Sequence, residues 1–221
     1  MNRCITAAAA LALVAGAAHA NLLGNPGFED DTLFDVNAFD NPGNWVAFFG
    51  GPAGTNLESF NFTGTAPLSG AKAMETSISA DSGTAYNAFT GQVQFVPGIV
   101  GDQEYTYSIW ARNDDSTLNG GVEYRIEWIG ASGFIGDQFA LNTPIGDQLT
   151  DEYQQFSLTA TAPPDAIAAQ VVIAVQSFAN DGVNPADVSV AWDDASLVPA
   201  PAALAFAPAA GLLALRRRRN G

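Results

Sequence analysis

Two segments alternate apolar and polar residues with a period of two, the rhythm of a β-strand that buries one face and turns the other outward. In Glu104 to Arg112, Tyr105, Tyr107, Ile109 and Ala111 fall on one side and Thr106, Ser108, Trp110 and Arg112 on the other. In Val122 to Ile129, Val122, Tyr124, Ile126 and Trp128 oppose Glu123, Arg125, Glu127 and Ile129. The aromatic and aliphatic sets are predicted to enter a core. Further strands are expected at Gln154 to Ala160, Ala168 to Phe178 and Val188 to Val198, and earlier at Ser59 to Phe62, Ala71 to Ile78 and Asn87 to Phe95. Turn chemistry such as Pro163-Pro164-Asp165 and Asn180-Asp181-Gly182 separates them. Helical periodicity is confined to short ambiguous pieces, so the chain between its two ends is predicted to be an all-β sandwich of roughly eight to ten strands.

The ends read differently. Arg3, the Ala/Leu/Val stretch Ile5 to Ala18 and the small-x-small site Ala18-His19-Ala20 fit a secretory signal peptide over residues 1–20. Cys4 precedes the apolar stretch and so is misplaced for a lipid-anchored cysteine. At the other end, Val198-Pro199-Ala200-Pro201 leads into the apolar run Ala202 to Leu215 and then Arg216-Arg217-Arg218-Arg219. As a helix that run would span roughly 21 Å, short of the roughly 30 Å of bilayer hydrocarbon, and Pro208 weakens it further. Four terminal arginines would be retained on the cytoplasmic side, which suits a transient inner-membrane contact.

In its order of parts, residues 198–221 resemble the PEP-CTERM sorting signal of Gram-negative bacteria: a Val-Pro-Glu-Pro motif (here Val198, Pro199 and Pro201, with Ala200 in place of Glu), an apolar helix and a basic cluster. The resemblance implies removal of the tail by an exosortase-type processing enzyme, export, and residence at the cell surface or in an extracellular exopolysaccharide matrix. An ordinary C-terminal membrane anchor is the competing reading, which the short apolar run disfavours.

Processing at both ends would remove the single Cys and the single His, both of which lie in residues 1–20. Residues 21–197 then hold no disulfide, no Cys/His zinc site, no Cys nucleophile and no Ser-His-Asp triad. Of 8 basic residues, Arg3 and the four tail arginines are lost, which leaves Lys72, Arg112 and Arg125 against all 23 acids, a net charge of −20. Nucleic acid is excluded as a partner, since no basic surface exists to displace counterions from phosphates. The acidic excess suits an exported protein and oxygen-liganded divalent cations, although most single acids are expected to be solvated on loops.

The ends and middle of residues 21–197 also resemble the galactose-binding-like jelly rolls of carbohydrate-binding-module families 4, 9 and 22. Asn21-Leu22-Leu23-Gly24-Asn25-Pro26-Gly27-Phe28-Glu29 looks like their opening strand and turn, and Trp192-Asp193-Asp194-Ala195-Ser196-Leu197 like their last strand. Leu68 to Met74, Gly91 to Gly98 followed by Tyr105 to Arg112, and Asp151 to Phe156 before Thr161-Ala162-Pro163 match in order, with Tyr153 where the family has Trp. The resemblance implies a jelly-roll β-sandwich and, at the meeting of the chain ends, a structural calcium (Ca2+) held by Glu29, Asp193 and the carbonyl of Lys72. Oxygen donors of this kind suit calcium. The alternative is that Glu29 caps a turn and Asp193 accepts backbone hydrogen bonds.

Sugar binding needs aromatic faces for the apolar side of a pyranose and planar hydrogen-bonding groups for its hydroxyls. Trp110 and Arg112, Glu123, Arg125 and Glu127, and Gln92 and Gln94 share an outward phase and are expected on one face, with Trp45 in the loop after Asn41-Pro42-Gly43 as a rim. The alternative is that Arg112 and Arg125 only pair with Glu123 and Glu127 across strands, at ~0.2–1 kcal/mol per pair. Catalysis is disfavoured: Glu123 and Glu127 lie about 13 Å apart along a strand, beyond the ~5–9.5 Å of glycosidase carboxyl pairs. The sequence therefore predicts a non-catalytic polysaccharide-binding protein, or else a surface or matrix scaffold without specific glycan affinity.

Overall fold

Both alternating segments become long strands, two of the twelve in the described residues. In order these are β1 (Phe34–Asp35), β2 (Trp45–Gly50), β3 (Asn56–Phe62), β4 (Ala73–Ser79), β5 (Ala88–Pro97), β6 (Glu104–Asn113), β7 (Gly121–Gly130), β8 (Gly133–Phe134), β9 (Ala140–Asn142), β10 (Gln154–Thr161), β11 (Ala168–Ser177) and β12 (Val188–Pro199). The computed structural model describes residues 20–31, 34–35, 43–62, 66–79, 88–114, 121–135, 140–142, 148–177 and 188–200. The expected signal peptide up to His19, and the expected tail from Pro201 through Arg216, Arg217, Arg218 and Arg219, lie outside them. Residues 20–200 make one compact unit.

The strands form a jelly-roll β-sandwich. Its front sheet has the order β1-β2-β5-β11-β7-β8, with β9 also on β7, and its back sheet the order β10-β6-β12-β4-β3. Only the β1–β2 pair is parallel among the described pairings. All eight expected strands are present, with ends within a few residues of expectation. The additional β2 is an unbroken apolar run, Trp45-Val46-Ala47-Phe48-Phe49, which lacks the alternation that marks a half-buried strand.

Although consecutive in the chain, β6 and β7 lie in opposite sheets. Their inward residues meet across the core: the Tyr107 and Tyr124 rings are 5.6 Å apart edge to face, and Tyr105 and Trp128 are 5.8 Å apart. These four side chains are at most 3% exposed, and complete burial of such a side chain contributes roughly 1.5–3 kcal/mol. Trp192, on β12, is buried with its indole N–H donating to the Thr76 hydroxyl at 2.8 Å, which removes the cost of an unpaired donor.

The chain ends close on each other. Leu22 N–H donates to the Leu197 carbonyl at 2.9 Å, the Asn21 side chain bonds Leu197 N–H and the Ala195 carbonyl, and Ala195 N–H donates to the Pro26 carbonyl. Asn25 and Phe28 sit at φ of +44° and +57°, a turn that folds Phe28 under the sheet against Trp45, 5.0 Å away. The last strand runs on past Leu197. Val198 and Pro199 pair with Thr106 and Tyr105, and Ala200 N–H donates to the Glu104 carbonyl at 2.8 Å.

Candidate functional site

β11, at the centre of the front sheet, is largely apolar on both sides, and a second small cluster forms on the sheet's outer face. Val46, Val93, Val172 and Ala174 make it, with Phe48 packed against them. Register explains the grouping. Val93 lies opposite Val172, which lies opposite Arg125; one row on, Gly91 lies opposite Ala174, which lies opposite Glu123. Gly91 leaves space that the Phe48 ring takes: a Cβ there would fall 2.7 Å from the ring and 2.2 Å from the Ile173 carbonyl oxygen. Phe89, which is exposed, adds a ring 6.2 Å from the partly buried Phe48.

This face holds a groove of about 360 Å³, with Val93 and Val172 as floor, Phe48 and Phe134 as aromatic sides, and Arg125, Glu127 and Gln170 as its polar part. Phe134, on β8, is 63% exposed. The Arg125 guanidinium is gripped from both sides, Nη1 by Glu123 and Nε by Glu127, all three on β7. Two carboxylates thus fix one planar cation at the groove edge. An apolar floor, aromatic sides and a fixed fork of donors beside a carboxylate and an amide can hold a ring that is apolar on its faces and hydroxylated at its rim.

The expected single sugar face is divided by the fold. Arg125 and Glu127 do line the groove, but Trp110 and Arg112 lie on the outer side of the back sheet, across the sandwich. Their outward phase is as expected; their sheet is not. Arg112 pairs with Asp114 at 2.7 Å and lies over the Tyr153 ring, 5.3 Å from its centre. Gln94 and Gln92 point inward and are buried. Gln94 clamps the N-terminal segment, its Oε1 accepting from Gly24 N–H at 2.8 Å and its Nε2 donating to the carbonyls of Gly24 at 2.9 Å and Gly43 at 3.3 Å. Trp45 is no rim residue. It opens β2, is fully buried, and its indole N–H donates to the Asn25 carbonyl. The groove residues that sequence reasoning missed are Phe48, Val93, Phe134, Gln170 and Val172. The available signal was apolarity on both faces of 168–177, which requires cover on the outer side as well.

Glu29 and Asp193 do meet at one corner, beside the 66–72 segment, where Glu29 Oε1 and both Asp193 oxygens accept backbone amides. Glu29 Oε1 accepts from Ala71 N–H at 2.8 Å and Lys72 N–H at 3.0 Å. Asp193 Oδ2 accepts from Leu68 and Ser69 N–H, and Oδ1 from Asp194 N–H at 2.7 Å. Lys72 contributes its amide here, and its ammonium pairs with Asp31. Among the described residues no three His, Cys, Asp or Glu side chains converge as a metal cage. Backbone amides thus hold both carboxylates at this corner, the hydrogen-bonded arrangement that is the stated alternative for Glu29 and Asp193. A bulge at Asp193–Ser196, with Asp194 at φ +45°, aims the two aspartates at this corner. Burial pushes the Asp193 carboxyl up to about 6; the amides of Ser69, Asp194 and Leu68 oppose the rise and the Asp194 charge adds to it.

No family model matches the chain, and no curated protein matches it. Solved structures do resemble it in fold. One is the enzymatically active domain of tailspike protein 4 from bacteriophage CBA120, at 15% identity and a TM-score of 0.53, covering 81% of this chain and 21% of that one. Another is an arabinose-bound MgGH51 α-L-arabinofuranosidase, at 18% identity and a TM-score of 0.51, covering 84% of this chain and 27% of that one. A third is a candidate sugar binding protein from Bacteroides thetaiotaomicron, at 15% identity and a TM-score of 0.50, covering 82% of this chain and 100% of that one. The chain spans only about a fifth and a quarter of the first two, and at these identities the likeness is one of fold.

Proposed function

We propose that the protein is a secreted, non-catalytic carbohydrate-binding protein that holds a neutral polysaccharide chain in the groove of its front sheet. The observation that carries this reading is the combination of an apolar Val93 and Val172 floor, the Phe48 and Phe134 rings, and Arg125 fixed by two glutamates beside Gln170. Carbohydrate-related proteins among the fold neighbours support it as analogy. Phe48 and Phe134 take the apolar faces of successive sugar rings, while Arg125, Glu127 and Gln170 bond their hydroxyls. The enzymes among those neighbours are several times longer than this chain, and the proposal assigns it no bond cleavage.

The test is electrophoresis of the full chain through gels holding arabinan, β-1,4-galactan, xylan or mixed-linkage β-glucan. At least one polysaccharide should retard the protein, and Phe48→Ala and Gln170→Ala should each weaken the retardation about fivefold or more. Retardation by none, or retardation that both variants leave intact, would reject the groove as the site.

The same reading takes the tail as an address to the cell surface or exopolysaccharide matrix, read by an exosortase-type enzyme. Val198 and Pro199 belong to β12, so processing that spares the strand acts at Ala200 or beyond. Replacing Arg216–Arg219 by alanine should leave the protein with the membrane fraction; unchanged release would count against the address.

A further inference from the structure

We propose that two copies of this chain pair through β10, edge to edge about a two-fold axis, so that their back sheets join into one. β10 closes one side of the back sheet and β3 the other. An exposed strand edge is a template for a further strand, and folded proteins ordinarily blunt it by shortness, charge, proline or cover. Such devices mark the other sheet ends among the described residues. The front sheet ends in β1, β8 and β9, each of two or three residues. β3 carries Glu58, and its Glu58 and Ser59 carbonyls accept from the Thr90 hydroxyl at 3.5 Å and the Gln92 side-chain amide at 3.0 Å. β10 has eight residues, Gln154-Gln155-Phe156-Ser157-Leu158-Thr159-Ala160-Thr161, with no charge and no proline in a chain of net charge −15.

The open backbone groups of β10 follow from its pairing. Ala162 N–H donates to the Gln103 carbonyl at 2.9 Å, which continues the β10–β6 ladder by one residue. Backbone groups alternate in direction along an antiparallel strand, so Gln154, Phe156, Leu158 and Ala160 turn theirs toward β6. Gln155, Ser157, Thr159 and Thr161 turn theirs to the free edge, where no described residue pairs with them. The core side is unfinished in the same place: Phe156, Leu158 and Ala160 pack on the core yet stay only partly buried. A strand laid against β10 would pair the open backbone groups and cover those three side chains.

A second copy fits because the strand is complementary to itself. For the core sides of both copies to lie on one face of the joined sheet, residues of like phase must stand opposite each other. An axis through Leu158 places Ser157 of each copy opposite Thr159 of the other, and Gln155 opposite Thr161. These pairs exchange about eight backbone hydrogen bonds, and each outward side chain is a hydroxyl or an amide that can bond its opposite number. No acid faces another within the ladder, which favours this edge over the rest of so acidic a surface. One ladder covers less area than a standard interface, so the dimer is weak and reversible. The axis stands perpendicular to the joined sheet, and both front sheets therefore face the same way. On the carbohydrate reading above, which the pairing itself does not need, the dimer presents two grooves to one polysaccharide surface and gains avidity.

The test is sedimentation equilibrium of the full chain from about 5 to 500 µM, with amide hydrogen exchange read by NMR at both ends of that range. The mass should rise from monomer toward dimer. In step with it, exchange should slow at Ser157, Thr159 and Thr161, while Phe156, Leu158 and Ala160, already bonded to β6, stay protected throughout. Ser157→Glu with Thr159→Glu sets like charges opposite each other and should weaken the dimer about tenfold or more. Ser157→Lys with Thr159→Glu sets opposite charges there and should restore dimerisation to at least the wild-type level, a rescue that a merely disturbed strand would not show. A monomer at every concentration would overturn the proposal. So would self-association that leaves exchange at 157, 159 and 161 unchanged or survives the two glutamates, since the contact would then lie elsewhere. Failure of the Lys and Glu rescue would overturn the register. No sugar enters this assay, so none of these outcomes bears on the groove, which stands or falls on retardation in polysaccharide gels.

Discussion

Replacing Gln94 with leucine keeps the volume of a buried side chain and deletes its hydrogen-bonding head. Three contacts vanish with it, to Gly24 N–H, the Gly24 carbonyl and the Gly43 carbonyl. Water cannot readily replace them, because the two backbones abut: a Cβ on Gly24 would fall 2.6 Å from both the Cα and the carbonyl oxygen of Gly43. An unsatisfied buried group costs about 1–3 kcal/mol; with one of the three bonds long and all three only partly buried, the expected loss is roughly 2–4 kcal/mol. At ~2–4 °C per kcal/mol for a domain of this size, the midpoint should fall by roughly 4–16 °C. Urea denaturation followed by tryptophan fluorescence measures the loss. Polysaccharide retention well below the transition should stay at the wild-type level, since Gln94 faces the interior and lies away from the groove. A loss below about 1 kcal/mol together with abolished retention would refute the reasoning and return Gln94 to the role of a sugar ligand.

Gly70→Ala should destabilise the closing corner by more than about 1 kcal/mol in the same assay, because Gly70 sits at φ +64° and a Cβ would fall 2.0 Å from Glu29 Oε1; an unchanged midpoint would mean that Glu29 does not lock the 70–72 segment. The Asp193 carboxyl, raised to about 6 when folded from 3.8, makes the native state bind a proton that the unfolded chain releases between those values, so its contribution to stability should grow as pH falls through about 6 and level off below about 3.8. The difference between wild type and Asp193→Asn should trace that gain across pH 7 to 4, and a pH-independent difference would contradict it. Chelation with EDTA should leave the thermal midpoint unchanged if amide donors alone hold Glu29 and Asp193, whereas a rise of several degrees on adding calcium, lost in Glu29→Gln, would restore the ion.

Strand positions were legible in the sequence wherever one face was buried and the other wet, as in β6 and β7, because the alternation of side chains is the physical consequence of that burial. β2 was not, since Trp45 to Phe49 is apolar throughout and carries no phase. The inward turn of Gln92 and Gln94 was hidden for a related reason. With both faces of β5 covered, its inner positions are free to hold polar groups wherever the N-terminal segment or β3 offers backbone partners, as Gly24 and Ser59 do. A period of two also distinguishes inside from outside without specifying which sheet a strand joins. Trp110 and Arg125 therefore look like neighbours in the sequence and lie on opposite surfaces of the fold. The meeting of Glu29 with Asp193 was legible from the turn and the last strand. The amides that engage them were not, because they belong to the 68–72 segment and are recruited by tertiary position.

The most direct test of the central claim is the retardation of the full chain in polysaccharide gels, wild type beside Phe48→Ala. The account predicts that at least one neutral polysaccharide slows the wild type in a manner competed by its own oligosaccharides, and that loss of the Phe48 ring weakens the effect about fivefold or more without lowering the thermal midpoint enough to unfold the protein. Equal retardation of a folded Phe48→Ala variant, or free migration of the wild type through every gel, would contradict it.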